Sequence, residues 1–278
     1  MRELPTQPKR FDAVGASRLL CLGQWIAFRL RQGDPVLKLI RSILLIAVLA
    51  LGAGAAYIYF SGGSGEPSTD LTTPEINSTT AVAGETTSTA GETATTSASA
   101  AFVIVPEESL ASFELGEVLF GEDKTVVGTT SEVAGQVLFD PLEPASAQFS
   151  EILINARTLE TDRANRDRAM RSAVVLNSGS DEHEFISFVP TAIVGLDGPI
   201  VVGEEITFEI AGDLTIKGTT QPATFAVTAV LEADDRLSGR AETEVVRTDF
   251  GIDIPRAPGV ADVTDEVLIS LDFVAVRA

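Results

Sequence analysis

Cysteine and histidine each occur only once in this chain of 278 residues, as Cys21 and His183. Cys21 precedes a long apolar run, so the chain beyond that run can form no disulfide and offers no thiolate nucleophile or ligand. A single histidine excludes a multi-histidine metal site. It stands in the polar run 181–184, where we expect an exposed loop residue rather than a catalytic base. The composition therefore favours a protein without enzymatic activity, bound metal or cofactor.

Acidic pairs are the other candidates for general acid and base groups. Glu122-Asp123 and Asp234-Asp235 both fall in turn-like stretches, where solvated charges are the ordinary case. We therefore assign no catalytic residue.

Positive charge is also scarce, with 20 Lys and Arg against 40 Asp and Glu and a formal net charge of −20. Eight of the bases but only three of the acids lie in residues 1–41, so the rest of the chain is strongly acidic. Nucleic-acid binding depends on basic residues that displace counterions from phosphates. We therefore expect no nucleic-acid partner, and the charges identify no protein partner.

One long run without charge covers residues 42–60. Its 19 residues nearly span a hydrocarbon core of roughly 30 Å as a helix. The alternative is a buried globular helix, but the run has no polar residue between Ser42 and Ser61 to give it a polar face. The basic segment before it and the acidic chain after it predict a single-pass protein of the cell membrane, with a cytoplasmic N-terminus and the C-terminal part outside.

The segments on either side of this run carry weaker signals. A signal peptide cleaved near Ala53-Gly54-Ala55 is an alternative to an uncleaved anchor, which the long preceding segment favours. Within the predicted cytoplasmic tail 1–41, residues 19–30 form either an interfacial helix or a loosely ordered stretch. Residues 61–100 contain 18 Ser or Thr and neither Lys nor Arg. Such a composition buries too little apolar surface to offset the entropy of ordering, so we predict a disordered linker.

From residue 102 onward the apolar residues recur with period two, which is typical of half-buried strands. The clearest face consists of Ile206, Phe208, Ile210, Leu214 and Ile216. Further strand candidates follow the same rule near 110–119, 125–139, 149–156, 184–194, 225–231, 238–248 and 267–275. About eight strands with one apolar face fit an up-and-down barrel or a two-sheet sandwich, and a barrel leaves no exposed edges.

One helix is predicted, from Thr161 to Ser172. Thr161 or Asp162 can cap its first turn, and Arg168 and Arg171 suit the negative end of its dipole. We expect it to cover one end of the barrel.

Five segments in order carry a family resemblance. They are GQVLFDP at 135–141; LETD at 159–162 with Arg166-Asp167 and Met170-Arg171-Ser172; FISF at 185–188; GDLTIKGTTQP at 212–222; and RTDFGI at 247–252. The sequence resembles the YceI-like family of lipocalin-like barrels that bind polyisoprenoid lipids. It departs from the family at 174–176 and at His183-Glu184, where the family has aromatic residues and a Tyr-Pro.

The resemblance implies that residues 101–278 form an eight-stranded antiparallel lipocalin-like barrel with one short helix. The inward apolar face can be a solid core or the lining of a lipid tunnel, since eight strands leave room for either. The resemblance favours the tunnel. The residues then expected to line it are Phe113, Phe139, Ile154, Phe188, Phe208, Leu214, Phe225 and Phe273.

Arg166 falls on the family motif, within a series that also contains Arg163, Arg168 and Arg171. A guanidinium at a barrel mouth could hold a lipid phosphate. The alternative is a solvated helix whose arginines pair with Glu160, Asp162 and Asp167.

Two functions remain open from the sequence. The resemblance implies a membrane-anchored extracytoplasmic protein that holds a long-chain isoprenoid lipid, a quinone or a polyprenyl phosphate, in an apolar barrel. The alternative is an envelope interaction or stress protein with a filled barrel and no lipid ligand.

Overall fold

The computed structural model describes residues 66–68, 71–76 and 99–278. The predicted tail 1–41 and membrane helix 42–60 lie outside these residues, as does the linker 61–100 apart from the parts just given. Within the described part of the chain, no helix has both the length and the apolar character needed to cross a membrane.

The described chain forms an antiparallel sheet of 13 strands. They are β1 (Ala100–Ile104), β2 (Leu110–Leu119), β3 (Glu122–Thr130), β4 (Val133–Ala134), β5 (Gln136–Phe139), β6 (Gln148–Phe149), β7 (Ile152–Asn155), β8 (Phe185–Val194), β9 (Glu205–Ile216), β10 (Thr219–Ala233), β11 (Arg236–Val246), β12 (Val260–Ala261) and β13 (Glu266–Arg277). One α-helix, α1 (Ala164–Met170), follows β7. Short 3-10 turns cover Pro106–Glu108, Pro144–Ser146, Asp181–His183 and Arg247–Phe250.

The sheet curls until its two ends meet. Strands β7 to β11 pair in sequence order, and β11 then pairs with β13. One half of β13 pairs with β2 and the other half with β1, which in turn pair with β3 and β5. Strand β4, between β3 and β5, pairs with β7 and closes the ring. Short strands that follow one another in the chain take one position in the barrel wall, and we call each such position a stave. The described chain has eight staves, which are β1–β2, β3–β5, β6–β7, β8, β9, β10, β11 and β13. The predicted antiparallel all-β architecture with one short helix is confirmed.

Alternation of side chains places the core inside this ring. On β10, Phe225, Val227, Ala229 and Leu231 are buried, whereas Ala226 between them is exposed. The same alternation on β9 turns the predicted face of residues 206–216 inward, with Leu214 nearly inaccessible. The barrel interior is therefore the hydrophobic core of the domain.

A tight hairpin joins β9 to β10. Ile216 pairs with Thr219, so the turn consists of Lys217 and Gly218 alone. Both have positive φ, at 52° and 73°, as a type I′ turn requires. The GDLTIKGTTQP segment of the family resemblance therefore consists of the end of β9, this turn and the start of β10.

The helix is shorter than predicted, and its start differs. It begins after Arg163, which makes no capping side-chain hydrogen bond. Thr161 instead donates to Asp167 Oδ1 through both its backbone N–H, at 2.8 Å, and its hydroxyl, at 2.6 Å. The prediction that Thr161 or Asp162 caps the first turn is therefore wrong, because the side chain of Asp167 holds residues 161–163 outside the helix.

The turn that the sequence predicted at Glu122-Asp123 lies two residues earlier in the structure. These residues begin β3 and are exposed, and the preceding turn is made by Phe120 and Gly121, both with positive φ. Asp234-Asp235 lies in the β10–β11 turn as predicted.

Candidate functional site

Two cavities lie inside the barrel and adjoin each other. The first has a volume of about 150 Å³ and the second about 430 Å³. Ile186 of β8 and Ile269 of β13 line both, so the cavities meet at these side chains. The first extends toward the loops after β5 and β8, and the second toward α1 and the β2–β3 turn.

The wall of the first cavity is apolar on all sides. Every stave of the barrel contributes to it, through Phe102, Val137, Ile154, Phe188, Phe208, Phe225, Leu237 and Phe273. Two aromatic pairs lie in this wall. The rings of Phe188 and Phe225 meet edge to face at 4.7 Å, and those of Phe102 and Phe139 stack at 5.0 Å between centroids. Its polar lining residues are Gln136, Ser187 and Ser270, so this cavity suits an uncharged, apolar occupant.

The residues predicted to line a tunnel are all found at the two cavities. The first cavity contains Phe139, Ile154, Phe188, Phe208, Leu214, Phe225 and Phe273, and the second contains Phe113 and Arg166. The period-two pattern brings them together because alternate residues of every stave face the same interior. That they bind a ligand stays a prediction.

The second cavity has charged groups among its apolar walls. Arg163 and Arg166 of the α1 region, Arg247, and Glu117 of β2 all line it. Arg166 donates to Glu117 Oε1 at 2.6 Å and also pairs with Asp162. Asp162 is one of the three partners expected for the arginine series. Glu117 was not expected, although it is in phase with Phe113 and Leu115 on the inward face of β2, which is the signal that could have revealed it.

Asp162 joins two cations at the rim of this cavity. Lys124 Nζ lies 2.5 Å from Asp162 Oδ2, and Arg166 pairs with the other carboxylate oxygen. The hydrogen bond from Lys124, with the charge of Arg166, holds the pKa of the Asp162 carboxyl below its ordinary value. Asp162 thus stays ionised and keeps Arg166 engaged.

A buried ion pair lies in the barrel wall where β7 ends and β8 begins. Arg157 Nη1 donates to Glu184 Oε2 at 2.9 Å, and both side chains are only 4% exposed. Arg157 also donates to the carbonyl of Ser178 at 2.6 Å and to Asp181 Oδ1 at 2.6 Å. Asn155, fully buried beside them, donates to Glu184 Oε1. Neither the burial nor the pairing of these two side chains was predicted from the sequence.

His183 is half-buried in this region, and its Nδ1 lies 2.9 Å from the side-chain amide of Asn177. The expectation of an exposed loop residue is wrong in that respect, because the 3-10 turn Asp181–His183 folds the ring back onto residue 177. Over residues 66–68, 71–76 and 99–278, no three His, Cys, Asp or Glu side chains gather closely enough to hold a metal ion.

Comparison with known proteins agrees with this geometry. Protein YceI of Escherichia coli O157:H7 is 29% identical over 152 residues, which are 53% of this chain and 73% of the relative. The UPF0312 protein of Ectopseudomonas mendocina (strain ymp) is 31% identical over 150 residues, 52% of this chain and 72% of the relative.

Solved structures show the same fold at lower identity. BcnA of Burkholderia cenocepacia superposes with a TM-score of 0.50 at 19% identity, covering 62% of this chain and 98% of BcnA. A polyisoprenoid binding domain from Saccharophagus degradans, implicated in plant cell wall breakdown, gives a TM-score of 0.50 at 10% identity and covers 64% and 99%. The model of the YceI-like domain matches residues 102–275, which is more than half of the chain. The chain therefore belongs to the YceI-like domain family.

Proposed function

We propose that this protein binds a long-chain isoprenoid lipid inside its barrel, as a binding protein without catalytic activity. The observation that carries the proposal is the first cavity, to which every stave contributes apolar side chains. The polyisoprenoid binding domain from Saccharophagus degradans shares the fold, which supports the same class of ligand here.

Apolar contact alone is sufficient for such binding. Each buried CH₂ group contributes about 0.8 kcal/mol, so a chain of tens of carbons needs no reactive residue. The second cavity, at about 430 Å³, falls within the roughly 300–1,000 Å³ of small-molecule sites. The isoprenoid tail is proposed to run through both cavities, which meet at Ile186 and Ile269, with its head toward the charged groups of the second.

The charges of the second cavity favour one kind of head. Arg166 is already neutralised by Glu117 and Asp162, and the buried carboxylate of Glu117 repels an anion. The other two arginines of this cavity also have carboxylate partners, Arg247 with Asp265 at 2.6 Å and Arg163 with Asp162 at 3.8 Å. A neutral head such as a quinone therefore fits better than a polyprenyl phosphate.

Lipid extraction from the purified full chain, followed by mass spectrometry, tests this function. We expect an isoprenoid in about stoichiometric amount, with quinones above polyprenyl phosphates. Extracts without isoprenoid, together with no uptake of added quinone, would favour the filled barrel of an envelope interaction or stress protein.

The barrel is proposed to reside outside the cell membrane, anchored by residues 42–60 with residues 1–41 in the cytoplasm. The support is the charge asymmetry around that uncharged run. Because Cys21 is the only cysteine, an impermeant thiol reagent added to intact cells should leave it unmodified, and permeabilised cells should show full labelling. Labelling of Cys21 in intact cells, at the level seen after permeabilisation, would show that the orientation is the opposite of the one proposed.

A further inference from the structure

One carboxylate oxygen at the second cavity has no hydrogen-bond partner among the described residues. Glu117 lines this cavity, and its side chain is only 6% exposed. Its Oε1 accepts a hydrogen bond from Arg166 Nη2 at 2.6 Å, whereas its Oε2 accepts none from any residue that the structure describes. A desolvated acceptor without a donor costs free energy. A molecule in the cavity that carries a donor therefore gains by placing it at Oε2.

The buried donors of this cavity are, by contrast, engaged within the protein. Both terminal nitrogens of Arg166 donate to carboxylates, Nη2 to Glu117 and Nη1 to Asp162. All three side-chain nitrogens of Arg247 donate as well, two of them to backbone carbonyls and the third to Asp265 Oδ1. The cavity thus offers a ligand a free acceptor rather than a free donor.

Two further polar residues line the cavity, Arg163 and Asn165. Both are exposed, so water competes with a ligand for their N–H groups. They do not change the balance at the enclosed part of the cavity, where Glu117 lies.

A neutral hydroxyl is the head group that complements this arrangement. An O–H that donates to a carboxylate makes a short, charge-assisted hydrogen bond, about twice as strong as one between neutral groups. A quinone carbonyl or an ether oxygen is an acceptor only, so it leaves Oε2 of Glu117 without a donor and brings two electron-rich oxygens together. Sites that hydrogen-bond a ligand hydroxyl discriminate strongly against the analogue that lacks it.

We propose that Glu117 selects isoprenoids whose head carries a hydroxyl group, a polyprenol or a quinol, over ethers and quinones with the same chain. Oε2 accepts the hydrogen bond from the ligand while Oε1 stays bonded to Arg166. The inference rests on the proposed function, since it requires an isoprenoid in the barrel with its head in the second cavity. It narrows the neutral heads that fit there to those that donate.

Two pairs of ligands test the preference, because the members of each pair differ in the hydroxyl. One pair is geranylgeraniol and its methyl ether. The other is a benzoquinol with a geranylgeranyl side chain and the corresponding quinone, measured without oxygen. Dissociation constants are obtained on the full chain in detergent, by competition with a fluorescent isoprenoid. We expect the parent to bind the alcohol and the quinol at least about tenfold more tightly than the ether and the quinone.

Substitution of Glu117 tests its role. Glu117→Gln keeps the size of the side chain and adds an amide donor, so it serves an ether or a quinone as well as a hydroxyl. We expect both affinity ratios to fall to about one. Glu114→Gln is the matched control on the same strand, because Glu114 alternates with the cavity-lining residues of β2, and it should keep the ratios of the parent. Asp162→Asn removes the other carboxylate from Arg166 but leaves Oε2 of Glu117 in place, so it should keep them too.

The outcomes separate this inference from the proposed function. Equal affinities within both pairs in the parent would overturn the inference, whether or not Glu117→Gln folds, and would leave isoprenoid binding established. A preference that persists in Glu117→Gln would remove Glu117 as its cause. A preference within one pair alone would support the inference and identify the head as a polyprenol or as a quinol. Absence of binding by any of these compounds in the parent would contradict the proposed function itself.

Discussion

Replacing Glu184 with glutamine is expected to lower the free energy of unfolding of the barrel by about 3 kcal/mol. Glutamine keeps the size of the side chain but removes the negative charge that faces Arg157 at 2.9 Å. Removing one partner of a buried ion pair is strongly destabilising because the remaining charge stays desolvated. The expected loss lies at the low end of the usual range because Asp181 still pairs with Arg157, although the Asp181 side chain is 97% exposed.

Urea unfolding of the full chain in detergent, followed by far-UV circular dichroism, measures this change. Glu182→Gln is the matched control, since Glu182 is exposed and two residues away, and we expect a change within about 0.5 kcal/mol. A double variant, Arg157→Met with Glu184→Leu, should recover only part of the loss, because apolar groups replace both charges but the buried side-chain amide of Asn155 loses its acceptor. A loss below about 1 kcal/mol in Glu184→Gln would mean that Asp181 and the carbonyl groups suffice for Arg157.

Replacing Ala241 with tryptophan is expected to weaken the proposed isoprenoid binding, with the affinity reduced at least about tenfold. Ala241 lies on β11, lines the first cavity and is only half-buried, so an indole there extends into space that the lipid tail needs. The fold should survive, since the added volume enters a cavity rather than a filled core.

The matched control is Ala226→Trp on the neighbouring strand β10. Ala226 is exposed on the outer face of the sheet, while the adjacent Val227 pairs with Ala241. Titration with a fluorescent isoprenoid and thermal unfolding without ligand are made on the same preparations. Equal binding by Ala241→Trp and Ala226→Trp would show that the ligand does not use this cavity. Destabilisation of Ala241→Trp by roughly 1–3 kcal/mol, with no binding by the parent, would instead indicate a solid core.

The inward face of the barrel was predictable from the sequence because strand geometry alone determines it. Side chains alternate strictly along a strand, so the apolar residues of period two, such as Phe208 and Leu214, have one side in common wherever the strand lies. The family resemblance added the closure into a barrel, which alternation by itself does not distinguish from a sandwich. The position of the helix was predicted, but its first residue was not, because the hydrogen bonds from Thr161 to Asp167 compete with helix formation at residues 161–163.

The Arg157–Glu184 pair could not be predicted in the same way. Its members lie 27 residues apart, at the end of one strand and the start of another, where charged residues are normally solvated. Glu184 is in phase with Ile186 and Phe188, but Arg157 is in phase with the polar Asn155, so alternation gives no common signal. Only the pairing of β7 with β8 brings the two side chains together.

The position of β13 governs when this barrel can form at all. The last strand pairs with β11 on one side and with β2 and β1 on the other, so that Phe102 meets Arg277. Contacts between residues so distant in sequence require a large loop to close, which makes folding slow and gives the domain a high contact order. Until synthesis reaches its final residues, the chain has two unpaired sheet edges and no closed interior. The domain therefore remains incompletely folded while it is being made, and it completes its fold only after β13 has been synthesised.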